Sequence, residues 1–138
     1  AKGMYSIQLG SPLNYLHFAG LEYQTEVALL SRNIRLIGSS ESVNFGGHTS
    51  VALTGNGRFS GVETNHMGQL NVMGKYPFHL HMLGDRGNLS FVQDCSVVDS
   101  TFRAYVIHGT NYARLSRNVG YNIHGFAYYL EDGVEENN

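Results

Sequence analysis

Cysteine, proline and tryptophan are scarce in this chain, which has one cysteine, two prolines and no tryptophan among its 138 residues. The single thiol, that of Cys95, excludes an internal disulfide framework. Charged residues make up 14% of the chain, the formal net charge is −2, and the nine lysines and arginines form no run. This pattern provides no basic patch for nucleic acid. No apolar stretch approaches the roughly 18 residues that span a membrane, so we expect neither a nucleic-acid partner nor a membrane span in this chain.

What the chain does have is a repeat of short β-type runs separated by glycine-rich corners. The run 104–110 superimposes on the run 127–133 with a shift of 23 residues. An upstream copy, 78–81, superimposes on 105–108 with a shift of 27 residues. A period in the twenties with short strands is typical of a solenoid.

The repeat predicts an all-β fold, because no segment shows a sustained 3.6-residue apolar period. Parallel strands need long crossover connections, and in a solenoid the rest of each coil supplies them. We therefore expect a parallel β-helix of about four coils over residues 27–138, preceded by a lead-in segment over residues 1–26. Both ends of such a stack leave strand edges unpaired. We accordingly expect a fragment of a longer chain, stacked on its own continuation or on a partner protein.

Strand alternation assigns a face to each side chain of the repeated runs. The apolar set should fill the coil, and it comprises Phe78, Leu80, Tyr105, Ile107, Tyr128 and Leu130. The other set should form a solvent-facing ladder on the outer surface, and its polar members are His79, His81, His108 and Glu131. The outer face of a purely structural sheet would carry threonine, serine and asparagine instead, so this ladder is the candidate functional surface.

The ladder has the composition of a metal site. Adjacent coils lie about 4.8 Å apart, so His81, His108 and Glu131 should line up along the solenoid axis, with His79 beside them. Two or three imidazoles with a carboxylate suit zinc or another divalent transition metal. His48, on the preceding coil with the same strand parity, is a candidate extension of the ladder.

Two metal-free interpretations of the same ladder remain open. In one, His108 and Glu131 form an acid/base pair that acts on a glycosidic bond near neutral pH. Asp132 can join Glu131 only if the strand has already ended, and the strand parity of Glu63 does not place it on the same sheet. In the other interpretation, the ladder is a purely structural stack of hydrogen-bonded polar residues.

Local patterns outside the ladder give several weaker predictions. Tyr15–Phe18 and Val27–Leu30 look like possible strands, and eight extra residues at one corner predict that 64–75 protrudes as a loop. Asn88 begins a glycosylation acceptor triplet. Cys95 is expected to be a small, semi-buried corner residue. The histidines expected to be structural or loop residues are His17, His66 and His124.

Several strings of this chain resemble one extracellular family, whose members carry an eight-glycine domain followed by parallel β-helix repeats. It includes fibrocystin, fibrocystin-like protein, transmembrane protein 2 and a hyaluronan-binding protein that induces cell migration. The resemblance covers roughly residues 27–138, and it is most specific in two strings. These are Tyr76-Pro-Phe-His-Leu-His81 and Leu130-Glu-Asp-Gly-Val-Glu-Glu-Asn-Asn138.

The resemblance implies a right-handed parallel β-helix and a secreted or cell-surface location. It leaves two classes of function open, because some members are linked to hyaluronan depolymerisation and others to no known reaction. One class is a structural or adhesive extracellular module that binds glycans. The other is a polysaccharide depolymerase of the hyaluronan type, with the His/Glu ladder at its centre. The near-neutral charge slightly favours the first class, because an anionic polymer has no obvious basic groove to bind.

Overall fold

The computed structural model describes residues 6–39, 41 and 43–138, and in this part of the chain the fold is all-β, as predicted. One short 3-10 helix, Gly87–Leu89, interrupts the strands. No described helix has the length and apolarity that crossing a membrane requires. The strands are β1 Ile34–Ile37, β2 Val51–Ala52, β3 Arg58–Ser60, β4 Val62–Asn65, β5 Phe78–Gly84, β6 Phe91–Gln93, β7 Ser96–Val98, β8 Tyr105–Thr110, β9 Arg114–Ser116, β10 Val119–Tyr121 and β11 Tyr128–Leu130.

These strands form three parallel sheets that wind into a β-solenoid of about four turns. The sheets have the strand orders β1-β4-β7-β10, β11-β8-β5-β2 and β3-β6-β9. Each coil thus adds one strand to each sheet before the next coil begins. In the sheet that matters most here, Tyr128 pairs with Tyr105, and Tyr105 pairs with Phe78. Both repeat shifts taken from the sequence are therefore confirmed as strand registers.

The interior of the coil is filled by the residues that strand alternation assigns to it. Phe78, Leu80, Tyr105 and Ile107 are each at most 2% exposed. The aromatic members stack along the axis, with ring centroids 5.4 Å apart for Phe78 and Tyr105 and 5.0 Å apart for Tyr105 and Tyr128. Stacking of like residues on successive coils keeps the core continuous, as expected for a solenoid.

Burial is lost at the last rung and in the lead-in segment. Tyr128 is 51% exposed because no further coil of the described chain covers it. The possible strands at 15–18 and 27–30 are absent, and the only described β-pairing before β1 is the antiparallel bridge Ala19–Gln24. Apolar residues there suggest strands, but a strand also needs a partner, and the solenoid does not offer one. The boundary drawn at residue 26 stays a prediction.

The corner between β4 and β5 is anchored at Gly68 and Gln69, while residues 70–73 are exposed; the predicted protrusion of 64–75 stays a prediction. Gln69 donates its side-chain amide to the carbonyl of Gly46, and Thr101 donates its hydroxyl to the carbonyl of Gly68. These bonds hold the corner against two other coils. Its last residues pass over the outer side of β5, where Tyr76 is fully buried. The corner therefore covers part of the polar ladder.

Candidate functional site

The polar ladder lies on the outer side of the sheet β11-β8-β5-β2. The parallel register places His81 directly beside His108 on the next coil. Glu131 follows β11 immediately, and its backbone N–H donates to the carbonyl of Ile107. Glu131 therefore lies next to His108 on the following coil. His79 is matched on later coils by Val106 and Tyr129, so the histidine-rich part of the ladder is local.

Three imidazoles converge, and one carboxylate lies beside two of them. One ligating nitrogen from each of His79, His81 and His108 lies within 4.8 Å of the others. His81 Nδ1 and His108 Nδ1 are 3.0 Å apart. The Oε2 atom of Glu131 lies 3.9 Å from His79 Nε2 and 3.7 Å from His108 Nδ1. The three predicted histidine ligands are therefore brought together, with Glu131 beside His79 and His108.

Glu131 differs from the expectation that the ladder faces solvent. Its side chain is only 9% exposed. Its Oε1 atom accepts a hydrogen bond from the Tyr76 hydroxyl at 3.1 Å and one from Arg103 Nη1 at 3.4 Å. Its Oε2 atom is buried without a hydrogen-bond partner among the described residues. The solvent-facing prediction is wrong for Glu131 because Tyr76 and Arg103 both pack against its carboxylate through Oε1.

His79 is also buried, with an overall exposure of 3%. Its Nδ1 lies 3.1 Å from the carbonyl oxygen of Gly74, so Nδ1 carries the proton and donates it to that carbonyl. Burial lowers the pKa of His79 to about 4, against the opposing effect of the Gly74 bond. The ring is therefore neutral at pH 7, and its Nε2 lone pair is directed at the cluster.

Asp132 joins the site from beyond the end of β11. The strand ends at Leu130, so the condition under which Asp132 could lie beside Glu131 is met. Its Oδ2 lies 3.3 Å from His108 Nε2. A carboxylate at this position holds the proton on Nε2 and leaves the Nδ1 lone pair free to face His81 and Glu131.

Other candidates from the sequence lie outside this cluster. Glu63 lies in β4, on a different sheet, and pairs with Arg35 at 2.9 Å. Ala52, rather than His48, is the rung neighbour of His81, and His48 instead contacts Lys75. The three histidines that were expected to be structural or loop residues, His17, His66 and His124, are exposed and lie outside the cluster. Asn88, the candidate glycosylation acceptor, is also exposed.

Tyr76 and Arg103 are the site residues that sequence reasoning missed. Tyr76 stands in the string that carries the family resemblance, but strand alternation gives no reason to place its hydroxyl on the ladder. Arg103 precedes β8 and reaches Tyr76 and Glu131 through Nη1. The sequence signal for Tyr76 was a tyrosine three residues before a ladder histidine. No sequence pattern singled out Arg103.

Comparison with known proteins places the chain in a family. The model of the CEMIP β-helix family matches residues 44–138, which include every strand and corner that forms the cluster. This chain belongs to the CEMIP β-helix family. The family assignment agrees with the parallel solenoid described above.

Curated relatives of this CEMIP-type module come from an amoeba and from human. A G8 domain-containing protein of Dictyostelium discoideum is 49% identical over 138 residues, and communication mutant protein F of the same organism is 47% identical over 135 residues. Each match covers 96% of this chain. The human cell migration-inducing and hyaluronan-binding protein is 35% identical over 155 residues, covering 94% of this chain. The chain spans only 10%, 12% and 11% of the length of these three relatives.

Proposed function

We propose that this chain is a polysaccharide-binding β-helix module of a secreted or cell-surface protein. The observation that carries the proposal is an aromatic patch beside the His/Glu cluster. Phe126 and Tyr129 stack with ring centroids 5.2 Å apart, and the guanidinium carbon of Arg103 lies 3.9 Å from the Tyr129 ring centroid. Phe126 is 58% exposed, so the stack presents an aromatic surface to solvent.

Such a patch has the chemistry that a sugar ring needs. A pyranose presents an apolar face of C–H groups and a rim of hydroxyls, so it packs on flat aromatic rings next to hydrogen-bonding groups. Arg103 is paired with Glu131 and its side chain is only 12% exposed, so its part in the patch is to orient the Tyr129 ring. The human relative is named as hyaluronan-binding. That name supports an acidic extracellular polysaccharide as the ligand class and an extracellular location for this module.

The charge of the chain predicts how such a polymer binds. The formal net charge is −2, and the lysines and arginines are scattered. Binding should therefore depend on contacts with individual sugar rings more than on release of counterions from the polymer. We expect modest affinity with a weak dependence on salt concentration, unlike the steep dependence of a strongly basic groove.

Phe126 provides the direct test of polysaccharide binding. Phe126→Ala should weaken the binding of hyaluronan oligosaccharides to the full chain about fivefold in calorimetry, because an aromatic contact contributes about 1 kcal/mol. Tyr112→Ala is the matched control, since Tyr112 is an exposed aromatic, 46% accessible, in the turn after β8. Equal affinities for the two variants would contradict the proposal. A chain that binds no polysaccharide and forms end-to-end fibres would indicate a purely structural module instead.

A second candidate function, polysaccharide hydrolysis, is favoured by the position of His108 between two carboxylates. Glu131 Oε2 lies 3.7 Å from its Nδ1, and Asp132 Oδ2 lies 3.3 Å from its Nε2. In this scheme Glu131 accepts a proton from the water that attacks the anomeric carbon. Protonated His108 gives its proton to the departing glycosidic oxygen, so one water is added across the broken C–O bond.

Hydrolysis is tested by the length of the polymer. Hyaluronan incubated with the full chain should shorten over time in size-exclusion chromatography, with and without chelator as parallel conditions. The double variant His108→Ala/Glu131→Ala should abolish the shortening. No change in polymer length with the unaltered chain would rule out hydrolysis, while the binding measurement with Phe126→Ala would still decide polysaccharide binding.

A further inference from the structure

Two buried acceptor atoms face each other at the centre of the polar ladder. His79 gives its Nδ1 proton to the Gly74 carbonyl, which leaves Nε2 with a lone pair. His79 Nε2 and Glu131 Oε2 are 3.9 Å apart, and neither has a hydrogen-bond partner among the described residues. A lone pair facing a carboxylate oxygen in a buried space is unfavourable, because neither atom can donate to the other.

A third and a fourth ligand atom are directed at the same space. Asp132 lies 3.3 Å from His108 Nε2 and holds the proton there, so His108 Nδ1 is left as an acceptor. His108 Nδ1 in turn lies 3.0 Å from His81 Nδ1 and 3.7 Å from Glu131 Oε2. Gly74 and Asp132, outside the cluster, therefore select the tautomers of His79 and His108 that aim lone pairs inward, as is usual around metal-bound histidines.

We propose that this cluster binds one divalent transition metal ion through His79 Nε2, His81 Nδ1, His108 Nδ1 and Glu131 Oε2. A cation at this point satisfies both buried acceptors at once. Three imidazole nitrogens favour zinc, or cobalt and nickel as its substitutes, over calcium and magnesium, which prefer all-oxygen sites. The inference rests on the cluster alone and holds whether or not the module binds polysaccharide.

The corner between β4 and β5 is the element that positions the ligands. Gly74 fixes the tautomer of His79 through its carbonyl. Tyr76 donates its hydroxyl to Glu131 Oε1, and Arg103 donates to the same oxygen, so Oε2 is left free for the ion. We assign Tyr76 as a positioning residue: its hydroxyl acts on the ion only through the orientation of Glu131.

Metal binding is tested on the full chain stripped with chelator. Titration with zinc in competition with a chromophoric chelator should give one ion per chain. His79→Ala and His108→Ala should each weaken binding at least about 100-fold, a larger loss than the 10- to 100-fold effect of outer-shell changes. His124→Ala, at an exposed corner histidine, should leave the affinity unchanged. A chain that takes up no stoichiometric zinc, or a His79→Ala variant with unchanged affinity, would overturn the proposal.

Tyr76 is tested separately with a second buried tyrosine as its match. Tyr76→Phe should weaken zinc binding about 10- to 100-fold and should change the visible absorption of the cobalt-loaded chain, because Glu131 loses its orientation. Tyr105 is equally buried and donates its hydroxyl to the Val119 carbonyl at 2.9 Å. Tyr105→Phe should cost stability but leave both metal readouts unchanged. If Tyr76→Phe also leaves the zinc affinity and the cobalt absorption unchanged, the Tyr76 hydroxyl has only a structural role. That result would overturn the assignment of Tyr76 but not the proposed metal site.

Discussion

Glu131→Gln should have opposite consequences in the metal-free and the metal-loaded chain. Without metal, an amide at this position can donate to His79 Nε2, which is otherwise a buried acceptor without a partner among the described residues. Satisfying a buried group of this kind contributes about 1–3 kcal/mol. The change also removes the ion pair with Arg103, in which both side chains are mostly buried, and that loss is of similar size. We therefore expect the free energy of unfolding in chelator to change by less than about 1 kcal/mol.

With zinc present, the same substitution should remove most of the stabilisation that the ion provides. At free zinc 100-fold above its Kd, the unaltered chain gains about 2.7 kcal/mol by mass action. Losing a carboxylate ligand and at least about 100-fold in affinity reduces that gain to about 0.4 kcal/mol. For a chain of 138 residues, the difference corresponds to a loss of roughly 9 °C from the zinc-induced rise in Tm.

The assay is thermal unfolding by circular dichroism, in chelator and at a buffered free zinc concentration. Glu136→Gln serves as the control, since it makes the same chemical change at an exposed glutamate of the same terminal segment. The control should show the full zinc-induced rise in Tm. A zinc-induced rise of the same size in Glu131→Gln, or a loss above about 2 kcal/mol in chelator, would refute the assignment of Oε2 as a ligand.

Three further predictions concern the rest of the fold. Burial tends to raise the pKa of Glu63, but its bonds to Arg35 and to the backbone of Arg32 hold the pKa below 4.5. The contribution of Glu63 to stability is therefore present above pH 4.5 and is lost as the pH falls below it. Glu63→Gln should flatten the curve of unfolding free energy against pH in that acid range. Phe78→Ala should cost about 3–5 kcal/mol in urea unfolding. Tyr128→Ala, at the same position of the interior aromatic stack but half exposed, should cost less than half of that. Equal costs would contradict the exposure of the last coil. Expression of the chain through a secretory pathway should add a glycosidase-sensitive mass at Asn88, and an unmodified chain would contradict that prediction.

The sequence was sufficient to predict which strands pair across coils, because in a solenoid the repeat of the sequence determines the strand register. Residues that pair across coils lie one repeat apart along the chain, so the 27-residue shift between similar runs alone aligns His81 with His108. Strand alternation then separates Phe78 and Leu80 from the histidines. Both rules use only neighbours in sequence or in the repeat; the strand registers confirm the first, and the burial of the apolar set agrees with the second.

The covering of the ladder could not be predicted, because it depends on contacts between distant segments. Tyr76 and Glu131 are 55 residues apart and belong to different coils. The length of the 64–75 corner indicates extra residues but carries no information on their path. Gln69 and Thr101 hold that path against neighbouring coils through bonds to backbone carbonyls, which any corner could offer. The same limit applies to Val27–Leu30, where an apolar run suggests a strand that no partner completes.

The composition of the ladder supports the proposed local site over a structural stack. In a structural ladder, identical side chains on successive coils bond to one another along the axis, so the pattern can continue from rung to rung. Here the rung position passes from Ala52 to His81, then to His108 and Glu131. His81 and His108 contact each other along the axis, but the carboxylate that follows them does not repeat the imidazole, and its Oε2 atom lies beside both His79 and His108. A surface built only for stacking has no reason to bury two acceptors face to face, whereas a site built around a cation requires it.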